Sequence, residues 1–241
     1  MHDKSEVREN QLLAALPEEA LERLQPSMEC VVLPPGEILY DFEDELTHIY
    51  FPNRNTVVSF LGTTDEHDNV EVGLCGNEGA VGFAGLFGAE TTAHQNLVQV
   101  PGTGSRLTMA AARDEFRRCG RFQELLMKFA HSLFIQASQT AVCNRLHSDE
   151  ERLARWLLLS NDRVEFHQLP LPRELLAKLL GRSRAAASLA AGVLERAGLI
   201  SYNGAELIIV DREKLESAAC SCYWVVRRQA AKVLRDLKVR P

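Results

Sequence analysis

No run of about 18 consecutive apolar residues occurs in this 241-residue chain, which leaves no candidate for a membrane-spanning helix. The first residues, MHDKSEVRENQLLAALPEE, are too charged for a secretory signal, so a cytoplasmic protein without a membrane partner is expected. None of the six cysteines (Cys30, Cys75, Cys119, Cys143, Cys220, Cys222) forms a CxxC pair, so neither a zinc ribbon nor a disulfide framework is indicated. No P-loop, HExxH or GxSxG motif is present, and Gly102-Thr103-Gly104 reads as a turn. An enzyme is therefore not expected, and neither a cofactor nor a metal is called for. Internal repeats and low-complexity tracts are also lacking.

Positive charge is scarce only in the first part of the chain. Residues 1–150 hold 11 Lys and Arg against 23 Asp and Glu, a net charge of −12, whereas residues 151–241 hold 16 against 10, a net of +6. Such a split fits a basic module that meets a polyanion, joined to an acidic module with another task. Chance clustering is the alternative. The composition, 46% apolar, allows a full core in one large or two modest domains.

The basic part contains LPLPRELLAKLLGRSRAAASLAAGVLERAGLI, from Leu169 to Ile200. Pro172 suits the start of a helix, and Leu175, Leu176, Leu179 and Leu180 follow with a helical repeat. Gly181 permits a left-handed end, Ser183 can cap the next helix, and Gly198 stops that helix after about Arg196. Two helices joined by a tight glycine turn make a helix-turn-helix. Ala177 and Ala187 let the two backbones approach, and Leu176, Leu180, Ala190 and Leu194 fill the space between them. Arg182, Ser183, Arg184, Ala185 and Ser188 are left for solvent. An arginine at the N-terminal end of such a helix can fork onto guanine O6 and N7, and alanine can touch a thymine methyl. The alternative is an alanine-rich helix in a small helical domain with solvated arginines.

Around this stretch the chain divides by texture. Asn10 to Leu24 predicts one or two short helices. Short β-rich runs follow: Glu29–Leu33, Glu37–Tyr40, Thr47–Phe51, Thr56–Leu61, Asn69–Leu74, Gln95–Val100 and Ser105–Met109. They are separated by turn signals such as Pro34-Pro35-Gly36 and Pro101-Gly102, which predicts a β-roll or jelly roll. Arg113 to Cys119 reads as a short helix before a long one. In the long helix Phe122, Leu126, Phe129, Leu133, Gln136, Thr140 and Cys143 recur at steps of four and three, a heptad seam. The seam predicts a dimer interface; a single helix packed on its own barrel, with a second stripe through Leu125, stays open. Ser148-Asp149-Glu150-Glu151 reads as a capping box that opens a scaffold helix. Leu199–Tyr202 and Glu206–Val210 around Asn203-Gly204 predict a wing, and Asp211 can cap a final helix through Leu215, Ala218, Ala219, Cys222 and Val226.

This order of elements resembles the cyclic AMP receptor and fumarate-nitrate regulator (Crp/Fnr) family of bacterial transcription factors over nearly the whole chain. The most specific parts are the winged helix-turn-helix, the segment ERLARWLL from Glu151 to Leu158, and the turn Gly76-Asn77-Glu78-Gly79-Ala80-Val81-Gly82, similar to the opening of the family's phosphate-binding cassette. The implied fold class is α+β: an N-terminal β-roll of the cyclic-nucleotide-binding type with flanking helices (1–120), a dimerisation helix (121–147) and a C-terminal winged helix-turn-helix (148–241). The resemblance implies a homodimer on double-stranded DNA, a small-molecule effector, and RNA polymerase as a further partner. It matches Arg184 to the family's guanine-reading arginine, and Ser183 and Arg173 to phosphate contacts. Arg182 and Lys178 add salt-dependent phosphate affinity.

Two family features are missing. The positions that carry glutamate and a second arginine in the founding member are Ala185 and Leu189, so a different operator is implied, since alanine cannot accept from cytosine N4. In the cassette the ribose-binding glutamate and the phosphate-binding arginine align with Ala80 and Thr91. Each lost charged hydrogen bond is worth about 1.5 to 3 kcal/mol, so cyclic AMP would bind roughly a hundredfold or more weakly. An effector pocket, if used for another ligand, would draw on Gly79, Ala80, Val81, Gly82, Thr91 and Thr92. Two further readings stand beside this one. Cys220 and Cys222, the only close cysteine pair, suit a thiol- or metal-responsive regulator. His48, His67 and His94 suggest a cupin-like β-roll enzyme with a helical tail, although their spacing carries no ligand motif.

Overall fold

The computed structural model describes residues 4–63 and 69–238. Three short helices open it: α1 (Lys4–Val7), α2 (Gln11–Ala14) and α3 (Glu18–Leu24). Buried Asn10 caps α2 by accepting from the Leu12 and Leu13 N–H groups, and its amide donates to the carbonyls of Pro52 and Gly79, which ties the entrance to the next domain. Seven strands follow: β1 (Met28–Leu33), β2 (Ile38–Tyr40), β3 (His48–Pro52), β4 (Val57–Thr63), β5 (Asn69–Cys75), β6 (His94–Val100) and β7 (Gly102–Thr108). They form two antiparallel sheets, ordered β1-β7-β3 and β2-β6-β4-β5, and the chain passes from one to the other at Pro101. This is the expected β-roll. Met109, read from sequence as the end of a strand, instead starts α4 (Met109–Phe116), because the Thr108 hydroxyl accepts the Ala111 N–H.

The four-stranded sheet is buried on both faces. Val58, Phe60, Cys75 and Val98 point into the roll, while Val57, Leu61, Leu74, Leu97 and Val100 join the core of the C-terminal domain. A register shift between Phe60 and Leu61 accompanies the placement of Glu71 under that second domain.

The long helix α5 (Arg121–Leu146) is capped at its end by His147. The heptad seam expected to meet a second chain meets this chain's own roll. Phe122, Leu126, Phe129, Gln136 and Thr140 are buried, and Leu133 is half-buried. Phe129 stands edge-on to Phe83, the Gln136 amide bonds both backbone groups of Leu74, and Thr140 accepts from Arg155. A heptad repeat records that a helix face is covered, not by which molecule, and the nearer apolar surface is the roll. Gly79 permits the closest approach: a Cβ there would fall 2.1 Å from the Phe129 ring. Gly79→Ala should therefore overpack this contact and cost about 1 to 3 kcal/mol, read as a lower Tm on thermal unfolding.

The capping box read from the sequence is present: Ser148 and Glu151 satisfy each other's backbone N–H at the head of α6 (Asp149–Asn161). Then come β8 (Gln168–Leu169), α7 (Arg173–Leu180), α8 (Arg184–Arg196), β9 (Ile200–Asn203), β10 (Glu206–Ile209), α9 (Arg212–Ala218) and α10 (Cys222–Lys238). The wing is a three-stranded sheet, β8-β10-β9, and its turn is Gly204-Ala205, since Asn203 pairs with Glu206. The single final helix expected from Asp211 is two, because the chain leaves helical geometry at Ala219, whose ψ is 147°. From Arg152 on, α6 is buried all round, clamped between the sheet of the roll and the helix-turn-helix.

The joint between the domains is polar at its centre. Buried Glu71 accepts from the Trp156 indole N–H, and the Ser59 hydroxyl lies 3.0 Å from both Glu71 Oε2 and Gln99 Oε1. Gln99 donates in turn to Ser160 at 3.1 Å. Burial pushes the Glu71 carboxyl up to about 7, against the opposing pull of its hydrogen bonds and of Arg155 and Arg163.

Candidate nucleic-acid interface

Helices α7 and α8 pack through the small residues named from sequence, with Ala177, Ala187, Leu176, Leu180, Ala190 and Leu194 buried between them and their neighbours. Gly181 ends α7 in the left-handed region at φ +60°, where a side chain would be strained. Ser183 caps α8 by accepting the Ala186 N–H at 3.2 Å, which still leaves its hydroxyl proton free to donate. The N-terminal part of α8 faces solvent: Arg184, Ala185, Ser188 and Leu189 are all exposed. Among the described residues no ion pair or hydrogen bond holds the Arg184 side chain.

The other cations assigned to this surface are engaged. The Arg173 guanidinium lies 4.0 Å over the Tyr202 ring and bonds Glu195 at 3.1 Å. Burial raises the Tyr202 phenol to about 12. Arg182 pairs with Asp149 at 2.8 Å, a carboxylate it shares with Arg152. Lys178 donates to Gln95 of the roll at 2.8 Å. Beside it, the turn rests on β5, where a Cβ at Gly181 would come 2.8 Å from Val70. The sequence could not show these ties, because their partners lie 22 to 83 positions away.

The candidate effector residues do not form an open nucleotide cradle. Ala80 and Val81 are fully buried, Val81 pairs through its backbone with Tyr50, and Gly79 lies under Phe129. Gly82 has φ +85°, Thr92 is buried with its hydroxyl donating to the His94 carbonyl, and Thr91 is exposed in a bridge to Glu45. A cavity of about 860 Å³ lies elsewhere, between the N-terminal helices, Arg163 and α10. Of the cupin-like histidines, His48 stands beside Tyr50 on β3, His94 stacks edge-on to Phe60 from the other sheet, and His67 lies outside the described residues.

The cysteine pair acquires company that the sequence did not announce. Cys143 and His147, one helical turn apart at the end of α5, come up against Cys220 and Cys222. The Cys143 and Cys220 sulfurs lie 3.4 Å apart, and the hydrogen bond between them lowers Cys220 and raises Cys143. The Cys-x₃-His spacing, which sets two ligand types on one helix face, was the available signal. The sequence offered only Cys220 and Cys222 as a pair; 77 positions separate Cys143 from Cys220, and only folding joins them.

The chain thus combines a β-roll, a long helix and a winged helix-turn-helix whose second helix opens on an exposed arginine. Residues 151–218 match the Crp-like helix-turn-helix domain. The fold is that of Crp/Fnr-family regulators. It is similar to CLP, a c-di-GMP responsive global regulator from Xanthomonas campestris, with TM-score 0.67 and 18% identity over 81% of this chain and 100% of that one. It is similar to a putative Crp/Fnr regulator from Eubacterium rectale, with TM-score 0.69 and 12% identity over 86% and 96%. FixK2 from Bradyrhizobium japonicum matches with TM-score 0.67 and 13% identity over 80% and 98%. A sequence search against curated proteins finds no match.

Proposed function

We propose that the chain is a sequence-specific transcription regulator that acts as a homodimer on an inverted repeat, each protomer laying α8 in a major groove. The observation that carries this reading is Arg184, exposed at the first position of α8 and unengaged among the described residues, while the cations around it are all tied. A guanidinium so placed suits a guanine edge, and Ala185, Ser188 and Leu189 add a small surface suited to a thymine methyl. Half-sites about one helical turn apart follow from two-fold symmetry.

Dimerisation is supported by the side of α5 opposite the roll. At 100° per residue, Met127, His131, Phe134, Ser138 and Val142 share one exposed face, and Phe134 is 69% exposed. Signal enters at the joint of the two domains. Lys178 on Gln95 and the α7–α8 turn on β5 hold the helix-turn-helix to the roll, so an effector that loosens this face frees Lys178 for phosphate. The packing of Phe129 over Gly79 favours an effector other than cyclic AMP.

Arg184→Ala should cost about 1 to 3 kcal/mol on the best site selected from random duplexes and should relax one base position. An unchanged sequence logo and affinity would remove α8 from the groove.

A further inference from the structure

Four side chains converge where the long helix ends and the last helix begins. Cys143 comes from the last turn of α5, His147 is its C-cap, and Cys220 and Cys222 flank the start of α10. Their ligand atoms all lie within 4.8 Å of one another, with Cys143 Sγ to Cys220 Sγ at 3.4 Å and Cys222 Sγ to His147 Nδ1 at 3.7 Å. The three cysteines are buried and His147 is half-buried. A tetrahedron built on metal–sulfur bonds of about 2.3 Å and a metal–nitrogen bond of about 2.0 Å has edges of about 3.5 to 3.8 Å. The Cys143–Cys220 and Cys222–His147 separations lie near those edges, and all four ligand atoms stay within 4.8 Å of one another. An iron–sulfur cluster, which sets several irons and sulfides between its thiolates, needs them farther apart.

We propose that Cys143, His147, Cys220 and Cys222 bind one mononuclear thiophilic ion of the Zn²⁺ type in a closed, tetrahedral, structural site. Three thiolates and one neutral imidazole around a divalent ion carry a net charge of −1, which a buried site must offset. Arg155 is placed to do so. It is buried, its charge acts on all three cysteines, and its Nε is a buried donor without a partner, although another of its nitrogens bonds Thr140. Purely apolar packing of the cysteines would require neither an imidazole among them nor a guanidinium beside them. The ligands come from both sides of the boundary at Ser148, so the ion staples the tail of the DNA-binding domain to the long helix. The proposal does not depend on how that domain reads DNA.

The full chain, reduced and stripped by chelator, is titrated with Co²⁺ and then with Zn²⁺. The expected result is the intense visible spectrum and near-ultraviolet charge transfer of tetrahedral cobalt–thiolate, saturating at one ion per chain and displaced by Zn²⁺. Tm should rise by roughly 10 °C with metal in large excess over Kd, and the thiols should resist alkylation. Cys220→Ser should lose the charge transfer and the Tm rise. Cys222→His should keep tetrahedral binding with weaker charge transfer, and substitution of the exposed Cys30 or Cys119 by Ser should change nothing. A weak octahedral cobalt spectrum, acid-labile sulfide with iron in anaerobically purified protein, or a Cys143–Cys220 disulfide forming equally fast with and without Zn²⁺ would each overturn the assignment.

Discussion

Phe134→Asp is expected to yield monomers by light scattering and to weaken operator binding by about a hundredfold to ten-thousandfold. The side chain sits 69% exposed at the centre of the outer face of α5, with Met127 at 55% and Val142 at 42% on the same side. Isolated exposed apolar groups are ordinary, but a row of them along one helix face is not. A second copy covers the row most economically, because a two-fold axis sets the same face against itself. Introducing a carboxylate there places two charges in a desolvated seam, whereas the monomer fold loses nothing, since Phe134 makes no core contact. The loss in DNA binding follows from avidity: without linkage each half-site is bound alone. Phe129→Asp is a contrasting control. It buries a charge under the roll and should unfold the chain, not simply separate protomers. A Phe134→Asp protein that stays dimeric would move the interface elsewhere.

Glu71→Gln should raise stability at pH 8 by about 3 kcal/mol and flatten the dependence on pH. The wild-type carboxyl is pushed up to about 7 by burial under Trp156, against an ordinary value of 4.5. A raised acid favours the proton in the packed state. Below about pH 4.5 the group is protonated whether packed or exposed, and its burial carries no charge penalty. Between about pH 4.5 and 7 the unfolded chain ionises while the packed carboxyl keeps its proton, so stability falls by about 1.4 kcal/mol per unit, and it levels above about 7 where the packed form also ionises. The hydrogen bonds agree with this direction. Ser59 has one proton and two acceptors at 3.0 Å, Glu71 Oε2 and Gln99 Oε1, so a protonated Glu71 that donates to Ser59 satisfies both contacts. An amide at position 71 keeps an acceptor for Trp156 without the charge. Thermal unfolding at pH 5, 6, 7 and 8 for both proteins checks the claim, and parallel curves would show that Glu71 stays ionised or exposed.

The two predictions concern features of unequal visibility in the sequence. The helix-turn-helix was legible because its signals are local: Gly181 for a left-handed end, Ser183 for a cap, the Ala177 and Ala187 contacts, and the box from Ser148 to Glu151. The roll was legible for the same reason, since alternating apolar runs and prolyl turns mark strands wherever they later pair. The Phe134 row was not picked out, because two stripes run along α5 and periodicity gives each the same standing. Glu71 drew no notice, because a single acidic residue in a strand reads as solvated until a tryptophan 85 positions away lies across it.

While the break at Ala219 and the helical start at Met109 emerged only on folding, the residue order by itself determined most of the elements and their sequence along the chain, the acidic and basic division and the exposed start of α8. These follow from backbone sterics and hydrogen bonding over four to seven neighbouring residues, where chain connectivity fixes who meets whom. Tertiary structure alone decided which side of α5 faces the roll, that Lys178 and Arg182 are held rather than free, and that Cys143 and His147 join Cys220 and Cys222. Those outcomes depend on how whole surfaces compete for burial. Hydrophobic burial rewards area and not identity of partner, so only the assembled molecule specifies which surfaces meet.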